Sequence, residues 1–307
     1  MPRLENLRIV DRVLTERALG YQNQALIADA LFPIVMVDKE RSLLPKFGKE
    51  AFKIYNTERA IRAESNVMKP EGITTIPLTT QEHDLAHPID YREAAESEYD
   101  LYLRATDIVT KAIMLRREKK AADLAQNLSN FPTGHKVTLA ADAKWSNPTG
   151  ANSNPIDQID SAKEVVRGKI GADPNTLVLG AIAFMHLKKH PAIVDKVKYS
   201  MKGVITVELL KEILGIENIY VGKAVYSSDA GVFGDIWADN AILAYNPTGA
   251  RSVEEPAYGY TPRRIGNPLV DKYTTEGNKI TYVRATDNFE VAIVGSEAGY
   301  IINDVAA

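Results

Sequence analysis

Residues 173–199, DPNTLVLGAIAFMHLKKHPAIVDKVKY, carry the signals that decide the fold. An Asp-Pro-Asn turn precedes the apolar run at residues 176–179, and this pattern predicts a short buried strand. Gly180 ends the strand, and apolar residues at helical spacing follow at once. The proline after His190 disfavours helical geometry at that histidine, so the helix is predicted to stop there. A second short helix is predicted over residues 192–199.

The segments on either side continue this alternation of helix and strand. A helix is predicted to begin at Pro155, since proline is favoured in a first helical turn, and to end at a glycine. Another helix is predicted over residues 206–214, again followed by a glycine, and then a strand over residues 219–221. With a buried strand or hairpin at residues 236–245, this part of the chain is predicted to be an α/β layer domain.

The longest predicted helix runs from Glu96 to about Asn130. Its apolar residues recur in steps of four and three, which predicts a single buried stripe. After residue 249 the pattern becomes all β up to the strand at residues 300–302, and a sheet built from this part needs a partner. The long helix is the predicted partner. The stripe consists of Leu101, Ala105, Ile108, Ala112 and Leu115.

The N-terminal third is predicted to lie outside any compact unit. Residues 1–40 contain two short amphipathic helices with no evident shared core, which favours an arm lying on other surfaces. Residues 41–95 form a long, polar, two-stranded hairpin, and such a hairpin is marginal in water unless something packs on it. Two interpretations stay open: a disordered or mobile insertion, and an extended loop stabilised by a neighbouring subunit.

Composition excludes several classes of protein. The 307 residues include 37 basic and 40 acidic side chains, a formal net charge of −3, which gives no sign of a nucleic-acid-binding surface. The absence of cysteine excludes disulfides and thiolate-bound metals. No signal peptide and no membrane-spanning run is evident. The sequence therefore predicts a soluble protein made in a cytosol.

Histidine pairs are the candidates for metal binding. His186 and His190 lie four apart on one predicted helix, but two lysines separate them and the glutamate of an HExxH motif is missing. His190 is instead predicted to be a helix-stop residue. His83 and His87 flank an aspartate in the polar hairpin, and His135 stands alone in a turn, without an evident third ligand. We therefore predict no metal-binding residues.

The charged clusters are likewise predicted to be structural. Asp157, Asp160 and Glu164 share one helical face, where first-turn carboxylates usually serve capping and solubility. No phosphate-binding loop or nucleophile elbow is present. No catalytic or cofactor-binding residues are predicted, although a dispersed pair of carboxylates stays open. A solvated face is favoured over a ligand site for the basic cluster Arg116, Arg117, Lys119 and Lys120.

Several segments, in this order along the chain, resemble the major capsid proteins of tailed bacteriophages, of the lambda-like family with the Hong Kong 97-type fold. They are YQNQALIADALFPIVMV, RREKKAADL, DAKWSNPTG with NPIDQIDSAKEVV, the opening stretch, and IWADNAILAYNP. The resemblance implies an α+β chain with an N-terminal arm at residues 1–40 and an extended β-hairpin loop at residues 41–95. It further implies a peripheral domain at residues 96–149 and 250–307, with a spine helix at about 96–130, and an α/β axial domain at residues 150–249.

The resemblance also implies the function. The chain would assemble with itself into hexamers and pentamers of an icosahedral shell around the phage dsDNA genome, which it would contact only non-specifically. A scaffolding protein, a portal and a decoration protein would be further partners, and no membrane would be involved. The protein would be assembled in the host cytoplasm and reside in the virion. No cross-linking residues are identified.

Two alternatives stay open at this point. One is an encapsulin-like nanocompartment shell of the same fold, which would enclose cargo enzyme rather than DNA. The other is an α/β enzyme whose residues 41–95 form a mobile lid.

Overall fold

A computed structural model describes residues 26–45, 53–67, 75–98, 100–198, 205–228, 230–247 and 255–306. The helices in these ranges are α1 Ala28–Leu31, α2 Tyr91–Glu96, α3 Leu101–Gln126, α4 Pro155–Ile170, α5 Ala181–Lys189, α6 Pro191–Val197 and α7 Val207–Leu214. The strands are β1 Ile34–Val37, β2 Arg41–Pro45, β3 Thr75–Thr79, β4 Gln81–Asp90, β5 Lys136–Thr138, β6 Thr176–Gly180, β7 Asn218–Gly222, β8 Val225–Ser227, β9 Phe233–Asp235, β10 Ala241–Ala244, β11 Gly259–Arg264, β12 Leu269–Thr275, β13 Ile280–Phe289, β14 Ala292–Ile293 and β15 Gly299–Asn303.

The opening stretch lies at the centre of a five-stranded mixed sheet, in the order β5-β15-β10-β6-β7. Strand β6 is buried along its whole length, as its apolar run predicts. The last residue of β6 is Gly180. Glycine is required at this position, because a Cβ there would overlap the backbone carbonyl of Ala238. Helix α5 begins directly after this glycine and ends at His190, so this local prediction is confirmed. Buried side chains of α4, α5, α6 and α7 share one apolar cluster with this sheet.

The last strand of the chain belongs to this sheet as well. Residues 300–302 are predicted to belong to a sheet of the final 50 residues, and that prediction is wrong for this strand. β15 runs antiparallel to β10 and parallel to β5. Ile301 and Ile302 point to opposite faces, and both are fully buried. A strand that is apolar on both faces requires a position in the interior of a sheet that lies between two layers. β15 has this position, with β5 and β10 on either side of it.

The second sheet has six strands. β13 is its centre and pairs antiparallel with β12 on one side and with β4 along its whole length on the other. β11 joins the end of β13, and β1 and β14 pair with β11. Residues 81–90, predicted as part of the projecting hairpin, are therefore a strand of this sheet. The two-stranded part is restricted to β2 and β3.

Helix α3, the spine helix, packs on β4 and β13 and is shorter than predicted. The sequence predicts one helix over residues 96–130, whereas α2 and α3 are separated by a break. Asp90 and Asp100 each accept hydrogen bonds from backbone N–H groups of the following turn, and so each starts a helix. The 26 residues of α3 span about 39 Å.

The buried stripe of the spine helix also differs from the prediction. Ile108 is 41% exposed, while Ala105, Val109 and Ile113 are buried. Two apolar stripes overlap on this helix, and periodicity alone does not distinguish them. Ala105 belongs to both stripes, and the packing of the helix on β13 and β4 buries the one that continues through Val109 and Ile113.

Residues 27–32, which we call the plug, place four apolar side chains in the chain's own core, while Asp29 is exposed. Leu31 and Phe32 are fully buried, and Ile27 and Ala28 nearly so. The prediction of an arm lying on other surfaces is therefore wrong for this part. Residues 1–25 of the predicted arm lie outside the described residues. After the plug, β1 pairs in parallel with β11, which attaches residues 34–37 to the six-stranded sheet.

Candidate assembly interface

His190 has a structural role between two helices. Its Nδ1 accepts a hydrogen bond from the backbone N–H of Ala192 (3.2 Å), so it caps α6, and its Nε2 lies 3.1 Å from Ser153 Oγ. Ser153 donates to the carbonyl of Lys144 (2.7 Å), which leaves Nε2–H of His190 as the donor to Ser153. Burial lowers the pKa of His190. The ring is thus held neutral, with its nitrogens used inside the chain.

The other histidines considered as ligands also contact the chain's own groups. The ring of His83 stacks on Phe289, 4.2 Å between centroids, and burial together with the charge of Lys120 lowers the pKa of His83. Nδ1 of His135 lies 3.0 Å from the carbonyl oxygen of Gly299. Among the described residues, no group of three or more histidine or carboxylate side chains is placed to hold a metal ion. His186 is half-buried on α5, and His87 faces Val283 across β4 and β13.

The charged clusters are occupied by local partners. Asp157, Asp160 and Glu164 lie exposed on α4, bonded respectively to Asn154, Lys163 and Arg167. The hydrogen bond from Arg167 lowers the pKa of Glu164. These carboxylates stabilise the helix surface and are not brought together with a second polar cluster.

Three members of the basic cluster contact acidic side chains. Arg117 pairs with Asp29 of α1 at 3.1 Å, and Lys120 pairs with Glu290 at 2.7 Å. Lys119 pairs with Asp123 and lies 4.9 Å from the ring centroid of Tyr226 in β8. Arg116 is exposed. The cluster thus attaches neighbouring elements to the spine helix, rather than forming the solvated face that the sequence favoured.

The ribbon formed by β2 and β3 is a two-stranded sheet, as is the pair β8 and β9. Within the described chain, its strands pair only with each other. Because side chains alternate across a strand, Leu43 and Pro77 share one face, and Leu44, Ile76 and Leu78 share the other. Leu43 is 66% exposed, and Pro77 is exposed. The ribbon thus has apolar groups on both faces, exposed on one face and half-buried on the other.

Hydrogen bonds link residues within the described part of the loop beyond the ribbon, residues 53–67. Asn66 Nδ2 donates to the carbonyls of Asn56 and Glu58, both at 2.9 Å, and Arg59 donates to the carbonyl of Ala63 at 2.6 Å. Its apolar side chains remain in solvent; Ile54 is 98% exposed. The loop is therefore shaped by its own hydrogen bonds, but it buries no apolar core. Ile61 and Val67 are exposed as well.

The plug, by contrast, is fastened by a buried carboxylate. Glu118 Oε1 accepts from the backbone N–H of Ile27 (2.9 Å) and from the indole N–H of Trp237 (2.7 Å), and its Oε2 accepts from Ala28 N–H (2.9 Å). Burial raises the pKa of Glu118, and these donors together with Arg117 oppose that rise. One side chain of the spine helix thus joins the N-terminal segment to the turn before β10.

No helix among the described residues is both long and apolar enough to cross a membrane. The spine helix and the two larger sheets define a fold that solved structures share. The chain superimposes on a phage-related protein from Bordetella bronchiseptica with a TM-score of 0.80 and 32% identity, covering 97% of this chain and 98% of that one. A virus-like particle from Pyrococcus furiosus shares the fold, with a TM-score of 0.60 and 14% identity, covering 95% and 97% of the respective chains.

Sequence comparison identifies the family. The model of the family "Phage major capsid protein E" matches residues 130–276. The major capsid protein of Burkholderia phage BcepMu is 50% identical over 309 residues, which cover 99% of each chain. The chain belongs to the phage major capsid proteins and has the Hong Kong 97-type fold. It is a structural protein of the virion capsid, which associates with copies of itself. This confirms the predicted family and overturns the alternative of an enzyme with a lid.

Proposed function

We propose that the chain assembles into hexamers and pentamers of an icosahedral shell, which encloses the phage dsDNA genome. The observation that carries this proposal is the ribbon of β2 and β3. A two-stranded sheet is marginal in water by itself, and this one exposes Leu43 and Pro77 on one face. A neighbouring copy of the chain covers this exposed face, as expected for an extended loop that crosses between subunits.

We assign the parts of the chain by strand pairing. The arm comprises residues 1–40, and the plug is the part of it that is seated in the chain's own core. The extended loop comprises residues 41–80. The peripheral domain comprises residues 81–130 with 255–293, around the spine helix and the six-stranded sheet. The axial domain comprises residues 136–247 with 299–306, around the five-stranded sheet.

The net charge of −3 supports a wall that contacts DNA weakly and non-specifically, since a strongly basic inner face would retain the genome during packaging. We further propose assembly in the host cytoplasm with a scaffolding protein, and virion contacts with a portal and a decoration protein. Shells that contain dsDNA agree with this proposal, whereas shells that contain cargo protein would favour the nanocompartment alternative.

Deleting residues 46–74 and joining β2 to β3 by a short turn tests the proposal. The deletion removes the part of the extended loop beyond the ribbon but leaves the two larger sheets and the plug intact, so the variant should fold as a soluble capsomer or monomer. Negative-stain electron microscopy should show shells for the unaltered chain and none for the variant. Thermal unfolding and gel filtration are the controls for folding. Shells of unchanged size and yield from the deletion variant would overturn the role assigned to the loop.

A further inference from the structure

The plug is packed among three separate parts of the chain. The ring of Phe32 lies 5.5 Å from that of Tyr258, and a Cβ on Gly259 would overlap it. Leu31 and Phe32 share one apolar cluster with residues of the spine helix and of both sheets. The helix inside the plug, α1, has four residues, far fewer than an isolated helix needs for stability. Its conformation therefore depends on the contacts that surround it.

Polar side chains hold the plug at both ends. Glu118 accepts from its first two backbone N–H groups. At the other end, Asn246 Nδ2 donates to the carbonyls of Ala30 (2.9 Å) and Leu31 (3.0 Å), and Thr261 Oγ1 donates to that of Phe32 (2.9 Å). These side chains come from positions 90 or more residues away, so the plug gains its partners only when the rest of the chain has folded.

Glu118 also contacts a third element besides the plug and its own helix. Three N–H donors, from Ile27, Ala28 and Trp237, converge on its two oxygens. A carboxylate accepts all three, whereas an amide presents one oxygen and one NH₂ group. Glutamine at this position would place its NH₂ group against an N–H donor. It therefore removes at least one of the three hydrogen bonds while keeping the size of the side chain.

We propose that the plug opens and closes as a unit of its own, and that Glu118 is the positioning residue that keeps it seated and fixes where the N-terminal arm leaves the folded chain. Local opening of this kind is governed by the few contacts that the unit makes with its surroundings. The effect of plug opening on assembly rests on the proposed function, in which the N-terminal arm acts between subunits. The opening itself is a property of the single chain.

The absence of cysteine from the chain makes a direct test possible. Ala28→Cys places one thiol in the plug, and Ala183→Cys places one in α5; both positions are nearly inaccessible to solvent. The rate at which a thiol reagent labels each single-cysteine chain under native conditions reports how often that site opens. Adding Glu118→Gln should raise the labelling rate at position 28 about tenfold or more and leave the rate at position 183 unchanged.

Two outcomes would overturn the inference. An unchanged labelling rate at position 28 would mean that Glu118 does not hold the plug, and an equal rise at both positions would mean that Glu118 acts only on global stability. If Glu118→Gln does not fold, Asn246→Ala releases the plug from its other end and should produce the same selective labelling. These rates are measured on unassembled chains, so an absence of shells in the unaltered protein would overturn the proposed function without affecting this result.

Discussion

The plug and the ribbon are neighbours in sequence, yet they are opposites in packing. Both are short, and both fall in the region predicted to lie outside any compact unit. The plug has its large apolar side chains buried and its terminal backbone groups bonded within the same chain. The ribbon exposes Leu43 and Pro77 on one face, and the apolar side chains on its other face are only half-buried. The difference shows that residues 26–45 contain a boundary between structure completed by the chain itself and structure completed by a partner.

The largest effect on stability is expected on the spine helix, where two adjacent residues, one buried and one exposed, test the same difference between packed and unpacked positions. Val109→Asp places a charge without a partner in the interface between the helix and the six-stranded sheet, at a cost of about 3–5 kcal/mol or more. Ile108→Asp, one position away and 41% exposed, should change the free energy of unfolding of the single chain by about 0.5 kcal/mol or less. Urea denaturation of both variants measures the difference. Equal losses would show that Ile108 is buried in solution.

Within the plug, Phe32→Ala should lower the free energy of unfolding by about 3–5 kcal/mol, because it leaves a cavity against Tyr258. The expected midpoint of urea unfolding is correspondingly lower. Phe32→Leu keeps most of the volume and is the matched control, with a smaller loss. A loss below about 1 kcal/mol for the alanine variant would mean that the plug contributes little to the folded chain.

Acid should act on the plug and on the axial domain in opposite directions. Burial lowers the pKa of His190 below 6.5, so the unfolded chain binds the proton first, and this group's contribution to stability is lost as pH falls through 6.5. Burial raises the pKa of Glu118 above 4.5, so the folded chain binds the proton first. Its contribution to stability therefore grows as pH falls through that raised pKa.

Unfolding free energies measured from about pH 7.5 to about pH 4 cover the titration of both groups. His190→Asn keeps an acceptor at the start of α6 and should remove part of the acid-induced loss. Glu118→Gln should make the loss at low pH steeper than in the unaltered chain. A His190→Asn variant with an unchanged pH profile would contradict the neutral ring described above.

The smallest effect on the single chain is expected in the ribbon. Leu43→Ser removes an exposed side chain, so the free energy of unfolding should change by about 0.5 kcal/mol or less. The yield of shells in electron micrographs should nevertheless fall sharply, because the apolar face has lost its contact with the neighbouring copy. Leu43→Met preserves an apolar side chain and should restore the yield. Normal shells from Leu43→Ser would remove this face from the interface.

Local patterns predicted the ends of several helices around the five-stranded sheet. Helix α4 begins at Pro155 and ends before Gly171, which has the left-handed φ of 69°, and α7 ends before Gly215, with φ of 61°. Proline, glycine and a continuous apolar run act within a few residues of themselves, so their effects can be recognised without the fold. The histidine predicted to stop a helix does so for the same reason.

The sequence by itself determined the α+β class, the buried strand β6, the helix boundaries set by proline and glycine, and the segments that resemble a capsid protein. Only the tertiary structure decided which stripe of the spine helix is buried, which sheet receives β15, and that the plug belongs to the core. Those outcomes depend on partners distant in the chain: Glu118 lies 91 residues from Ile27, and Asn246 lies 215 residues from Leu31. A pattern of apolar residues indicates that a surface is buried in the folded chain. The surface that packs against it, however, forms only when distant parts of the chain have folded together.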